Sequence, residues 1–538
     1  MKATQLDRPR CRDYAALVPR PAPLPAATSR AARLARAGVI AGLMTVAVGV
    51  RLWSAWHARF SGEEASFWNT AVGIARAEAF PALGHSVSGT GALHPGPLFF
   101  WLIAASQVFV TSPFVGNAAV SLFGLFGALV MARTMPSNGG RWFPGALLFL
   151  LVAASPWWVV YTNSTWPSYV VTGTAACFVA ALWRVASHPG SRAIGPLAFI
   201  LIAGFQLHLS LLHFWPLTVA VLLVARQRRF NVRWLAAGVL LAVACYVPYL
   251  VSELRTHFSN TRLLMAKSQG GPRRARVLFE LYLYFFGFPT TDISYLWHHG
   301  FWQPFDALSF WGGTGAAQTD AFFRGIGFTA FLWVMHVVSW AISVAAVLIG
   351  AARLALGWRR GARRPDVATT LYVVALVDIT LFYALSGKGG YAHYVGVLLP
   401  IAYIPVAALL AWVARWRTGR LAAGVYLVGF ATAGVLVMSG YYRVDSRLSA
   451  PQSDRVVGFV LSHARAADGQ PQPASLQFGF SPAWTYPYQV LAGRLHHQAL
   501  LLRPAAPHRF LVGARQPGER RVEVPDRLDL ETIFVAGH

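Results

Sequence analysis

Two adjacent carboxylates, Glu63 and Glu64, stand in the stretch FSGEEASFW (60–68) of a chain that carries 46 Lys and Arg against 20 Asp and Glu. A carboxylate beside a hydroxyl or amine can accept its proton while that group attacks a carbon. It can equally bind a cation, or pair with a neighbouring guanidinium such as Arg51 or Arg59. Acids are scarce here: between Asp13 and Asp366 the chain has only Glu63, Glu64, Glu78, Glu253, Glu280, Asp292, Asp306 and Asp320. The three cysteines, Cys11, Cys177 and Cys245, lie in the N-terminal tail and in apolar runs, so neither a disulfide framework nor a zinc site is implied. The pair His496/His497 reads as a surface feature rather than a metal site.

The medium around these acids follows from composition. With 538 residues, 56% hydrophobic and 12% charged, the chain has about half the charged fraction of a soluble domain. It reads as a polytopic α-helical membrane protein. A formal charge of +26 could suggest nucleic acid, but the arginines fall in short runs between apolar segments, as membrane topology requires. No nucleic-acid partner is expected.

Apolar segments at 34–53, 114–132, 142–161, 167–184, 194–209, 211–225, 234–252, 326–352, 367–386, 394–414 and 421–440 predict about eleven transmembrane helices, up to thirteen if two short runs also cross. The first short run is PLFFWLIAASQVFV (97–110). If it lies along the interface, the basic loops at Arg133/Arg141, Arg184/Arg192, 226–233, 359–364 and 415–420 all share the side of the basic N-terminus, which is the cytoplasm. The second short run, VLFELYLYFFGF (277–288), reads as another interfacial or re-entrant helix. The resulting organisation is a cytoplasmic tail at 1–33, a transmembrane core at 34–440 with outer loops at 54–113 and 253–324, and a small extracytoplasmic α/β region at 441–538. In that last region SDRVVGFVLSHARA predicts an amphipathic helix capped by Ser453, and HRFLVGAR and ETIFVAG predict short strands. Asp378 falls inside a span, where a buried hydrogen-bonding or neutral structural role is expected.

The order of elements around Glu63 resembles that of membrane glycosyltransferases of the GT-C class, especially protein O-mannosyltransferases and lipid A aminoarabinose transferases. In that class an Asp-Glu pair in the first outer loop precedes a Lys-Pro-Pro-Leu or His-Pro-Gly-Pro-Leu element. Here Glu63 and Glu64 take the places of the pair, and HPGPL (94–98) matches the second form. SPWWVVYTNSTWPSY (155–169), FQLHLSLLHFWP (205–216) and YAHYVGVLLP (391–400) are similar to further outer turns of the class. Two departures stand out: the first acid is Glu instead of Asp, and the second outer turn has Asn163, Ser164 and Thr165 where many relatives carry another acid.

The resemblance implies a GT-C fold in a bacterial inner membrane, with the active site and C-terminus on the extracytoplasmic side. It implies transfer of a sugar from a polyprenyl-phosphate carrier to a lipid, glycan or protein acceptor, with Glu63 as base and Glu64 orienting the acceptor or binding a cation. A lipid phosphate leaving group needs converging donors or positive charge. His94, His208, Lys388, His393 and Tyr394 are the main candidates, with the basic cluster Arg273, Arg274 and Arg276 on the same outer side as further ones. The second-turn departure removes an acid that a conventional two-acid metal site would use, so no metal ligands are assigned and dependence on a divalent cation stays open. Rival readings are a glycan polymerase or oligosaccharide transferase, a transporter, and a relative that has lost catalysis.

Overall fold

The computed structural model describes residues 30–87, 91–134, 143–266, 275–291, 329–359, 367–386, 395–445, 449–464, 474–478, 486–496, 500–501, 508–512, 519–522 and 533–536. The chain divides into two units, residues 1–46 and 47–538. The described part of the first unit, residues 30–46, belongs to helix α1, Arg30–His57. The second unit begins within α1 and holds α2 (Gly62–Ala75), α3 (Leu98–Gln107), α4 (Pro113–Thr134), α5 (Phe143–Ala154), α6 (Pro156–Val160), α7 (Pro167–Ser187), α8 (Ile194–Ala203), α9 (Phe214–Val224), α10 (Val232–Arg255), α11 (Ser259–Ala266) and α12 (Ala275–Gly287). Four long helices follow, Thr329–Arg359, Val367–Ser386, Leu399–Val413 and Arg417–Asp445.

Among the described residues eight helical stretches are long and apolar enough to cross a membrane: Ala37–His57, Pro113–Thr134, Pro167–Ser187, Val232–Arg255, Ala330–Leu356, Val367–Ala384, Gly396–Val413 and Arg417–Ser439. The three other expected spans resolve into shorter pieces, each with a local cause. The run 142–161 breaks at Ser155, whose hydroxyl accepts the Trp158 N–H at 3.2 Å, with Pro156 opening α6. The runs 194–209 and 211–225 become α8 and α9, separated by 3₁₀ turns at Gly204–Gln206 and Leu209–His213. Between those turns His208 is extended (φ −166°), and its ring accepts the Ser210 N–H at 3.2 Å, which stops either helix from continuing.

Helix α3 has 10 residues, about 15 Å of rise against a hydrocarbon core of about 30 Å. Helix α12, the second short run, lies among the long helices: Tyr284, Phe285 and Phe288 are buried, and the Tyr282 hydroxyl reaches Leu376 O at 3.1 Å. The main core threads through these helices from Phe67 and Phe99 to Tyr403 and Phe430.

Asp378 pairs with His213 through a short Oδ2···Nδ1 hydrogen bond, with both side chains buried, which supplies the hydrogen-bonded role expected of an acid inside a span. In the C-terminal region the helix Ala450–His463 starts earlier than expected. Its N-cap is Ser449, and Ser453 is a buried residue within it, because Pro451 at the second helical position favours the earlier start. Among the described residues a second helix, Tyr486–Leu495, and five strands follow. The strands β1 (Ala474–Phe478), β2 (Leu500–Leu501), β3 (His508–Val512), β4 (Glu519–Val522) and β5 (Ile533–Ala536) form one mixed sheet in the order β2-β1-β3-β5-β4. β1 runs parallel to β2 and β3, while β5 is antiparallel to β3 and β4.

Candidate active site

Helix α2 carries both carboxylates in its first turn and buries two faces. Phe67 and Ala71, four residues apart, join the main core with Leu98, Phe99 and Phe100 of α3. Ala65, Trp68 and Val72 join a second core with Val456, Val457, Tyr488 and Leu491 of the C-terminal helices. Trp68 Nε1 donates to Gln107 Oε1 at 2.9 Å, and the same oxygen accepts the Ser112 N–H at 2.9 Å, tying α2 to both ends of the α3–α4 connection. Arg494 adds hydrogen bonds to Asn69 Oδ1 at 2.7 Å and Glu78 Oε2 at 2.6 Å.

This packing separates the two acids. Glu64 is 8% exposed and closes a capping box with Ser61: its Oε2 accepts the Ser61 backbone N–H at 3.0 Å and lies within a short contact of the Ser61 hydroxyl. Burial pushes the Glu64 carboxyl above the usual carboxylate range, opposed by the Ser61 hydrogen bonds and the nearby Arg59 charge. Glu63, one position earlier, is exposed, and its Oε2 accepts the Trp166 indole N–H at 2.9 Å. Arg51 pairs with neither acid: it is fully buried and donates from Nη2 to Val152 O at 3.1 Å.

Trp166 comes from the second turn of the sequence map, just before α7. That turn spends its other polar groups inward. Asn163 Nδ2 donates to the Tyr442 hydroxyl at 2.5 Å, and the Thr165 N–H meets Asn117 Oδ1 at 3.0 Å. Thus the turn presents an indole N–H to Glu63 where a second carboxylate was a family expectation. Among the described residues no group of three or more His, Cys, Asp or Glu side chains is placed to hold a metal ion.

The HPGPL element is buried against the turn joining α8 to α9. His94 stacks on His85 with ring centroids 4.0 Å apart, and His208 lies 5.9 Å beyond His94 at the same 28° tilt. His94 Nδ1 approaches Phe205 O at 3.4 Å, and His208 Nε2 approaches Ser168 Oγ at 3.4 Å. Burial holds His94 down at about 4, and burial together with the His94 and His208 charges holds His85 at about 2. At neutral pH these two rings are uncharged, so His94 can offer a phosphate one hydrogen bond but no charge. Gly96 has φ +131°, and a Cβ there would lie 2.2 Å from Gln206 Oε1, so only glycine lets the chain pass this close. Gln206, fully buried, accepts the Leu98 N–H at 3.3 Å, the first free donor of α3.

The structure therefore brings Glu63 to Trp166, and His94 to His208; Ser168, two residues past Trp166, joins these pairs. Lys388, His393, Tyr394, Arg273 and Arg274 lie outside the described residues, as does the side chain of Arg276. His496 Nε2 contacts Asp454 Oδ1 at 2.8 Å, linking the two C-terminal helices. Sequence reasoning missed Trp166, His85 and Gln206. Trp166 and Gln206 lie within the turns 155–169 and 205–216 but carried no role of their own there, His85 lies in no motif, and each is defined by a partner about 10 to 110 positions away. The Ser61–Glu64 spacing of a capping box was the available signal that Glu64 is engaged locally.

No protein-family model and no curated protein matches this sequence. Among solved structures, ArnT from Cupriavidus metallidurans bound to undecaprenyl phosphate aligns with a TM-score of 0.51 at 13% identity, over 93% of this chain and 98% of that chain. The same protein in the apo state aligns with a TM-score of 0.52 at 14% identity, over 94% and 98%. The alignments cover nearly the whole of both chains, and at this identity they show a likeness of fold: the chain has the fold of ArnT.

Proposed function

We propose that the protein is a glycosyltransferase that takes a sugar from a polyprenyl-phosphate carrier on the extracytoplasmic side of a bacterial inner membrane. Glu63 accepts the proton of the attacking acceptor hydroxyl or amine. The new bond forms at the anomeric carbon as the bond from that carbon to the phosphate oxygen breaks, and the polyprenyl phosphate leaves with the electron pair. The observation that carries this reading is the division of labour in α2: Glu64 is committed to the helix cap, whereas Glu63 is exposed and held by a neutral donor. A neutral donor orients a carboxylate without neutralising it, as a base requires. That ArnT is described bound to undecaprenyl phosphate supports a lipid-phosphate donor for a chain of the same fold.

His94 and His208 supply hydrogen bonds to the departing phosphate in this reading, and Lys388, His393 and Tyr394 are proposed to supply its charge and remaining donors. Glu64 serves the acceptor through the position of α2. The test is cellular and chemical. Deleting the gene should cause a polyprenyl-phosphate sugar to accumulate, identified by mass spectrometry of lipid extracts. Wild-type protein should clear it, and Glu63→Gln, which keeps size but removes the proton acceptor, should transfer about 100-fold more slowly or worse. Wild-type clearance by Glu63→Gln at equal expression would refute the base assignment.

A further inference from the structure

We propose that Trp166 is the positioning residue of the base, and that it compensates for the longer side chain at position 63. This rests on the reading of Glu63 as base. A glutamate has one more rotatable bond than the aspartate the first-loop resemblance leads one to expect. An exposed Glu side chain therefore samples several rotamers, few of which put an oxygen against a bound acceptor. The Trp166 indole removes that freedom. Its N–H donates to Oε2 at 2.9 Å, and among the described residues Oε1 makes no hydrogen bond and is left for the acceptor proton.

The indole is itself held. Trp166 is the N-cap position of α7, with Pro167 fixing the first helical residue behind it. Its ring meets Tyr169 edge to face at 5.5 Å, and Tyr169 rests on the buried Tyr161 at 5.4 Å. The turn before it is anchored from below by the Asn163–Tyr442 and Thr165–Asn117 hydrogen bonds. Glu63 is held from the other side by the capping box and by the two cores that grip α2. Two rigid supports far apart in sequence thus meet at one hydrogen bond.

The experiment is a double-mutant cycle on kinetics, with membranes containing each variant and, as donor, the lipid extracted from cells lacking the protein. Trp166→Phe keeps an aromatic ring against Tyr169 and removes only the donor. It should lower kcat about tenfold or more, the usual scale for a lost hydrogen bond to a charged group, with KM for the donor lipid unchanged. Glu63→Asp, too short to reach the indole, should lose a similar factor, and adding Trp166→Phe to Glu63→Asp should cost little more. If Trp166→Phe does not fold, Trp166→His, which returns a ring N–H on a smaller ring, carries the cycle with kcat above that of Trp166→Leu. Wild-type kcat in Trp166→Phe, or losses that simply multiply in the double variant, would overturn the proposal while leaving the base assignment intact. Full activity of Glu63→Gln would instead remove the base assignment.

Discussion

Separating Asp378 from His213 should be among the most damaging changes in the membrane-spanning part of the protein, and replacing both together among the mildest for the size of the change. Asp378 sits in the helix Val367–Ser386 and His213 at the start of α9, and the two side chains are 4% and 1% exposed. They face each other through one short hydrogen bond, with the His213 ring 4.4 Å from Phe382 and its Nε2 unpartnered. Removing one partner, as in Asp378→Leu or His213→Phe, strands a buried polar group, at a cost of about 3–5 kcal/mol if the pair is ionised and about 1–3 kcal/mol if it is neutral. Removing both, as Asp378→Leu with His213→Phe, strands neither and should lie within about 1–2 kcal/mol of wild type, so the losses should fall short of additive by about 2 kcal/mol at the middle of the neutral range and by more if the pair is ionised. The assay is equilibrium unfolding of purified protein in mixed micelles titrated with a denaturing detergent, with the four proteins run side by side. Losses that add in the double variant would show that the pair is not a mutual partnership. A double variant that is stable but inactive would show that the pair serves chemistry and not architecture.

Two further outcomes follow from the buried HPGPL element. His94 and His85 are held near 4 and 2, below the ordinary value of about 6.5, so the unfolded chain takes up protons that the folded chain refuses. Stability should therefore be highest above about pH 6.5 and fall with acidification toward pH 4, by up to about 1.4 kcal/mol per unit for each buried histidine, and His85→Phe with His94→Phe should flatten that slope in the same unfolding assay. Gly96→Ala should cost about 1–3 kcal/mol from its φ of +131° alone, plus the overlap with Gln206, and pairing it with Gln206→Ala should recover only the overlap.

The membrane character of the chain was legible because it rests on composition and run length, which need no partner: eight of the expected spans appear as long helices. The shorter elements were legible only in part. The break at Ser155-Pro156 has a cap and an N1 proline that sequence can show, but within an unbroken apolar run such a signal does not outweigh hydropathy. The break at His208 depends on an extended backbone that nothing in QLHLS announces. At the site, the position of Glu63 after the first span was readable from order alone. Its separation from Glu64 required knowing that Ser61 claims one acid and Trp166 the other, and the second contact joins residues 103 positions apart. Ser453 was misread as a cap because its spacing to the apolar positions fits equally well, and only Pro451 distinguishes the earlier start.

The two-sided burial of α2 also bears on how the protein is made. The face carrying Phe67 and Ala71 finds its partners in α3, soon after α2 itself is synthesised. The face carrying Trp68 and Val72 must wait for Val457 and Leu491, roughly four hundred residues later in the chain. Loop-closure cost and vectorial synthesis both delay such distant contacts. A nascent chain halted after Asp445 would possess every long apolar helix described here, yet the side of α2 carrying Trp68 and Val72 would still lack its partners from the C-terminal helices. The helix that bears Glu63 is thus among the first elements to be translated and among the last to be finished, so insertion into the bilayer and acquisition of a settled carboxylate are separate events in the life of the molecule.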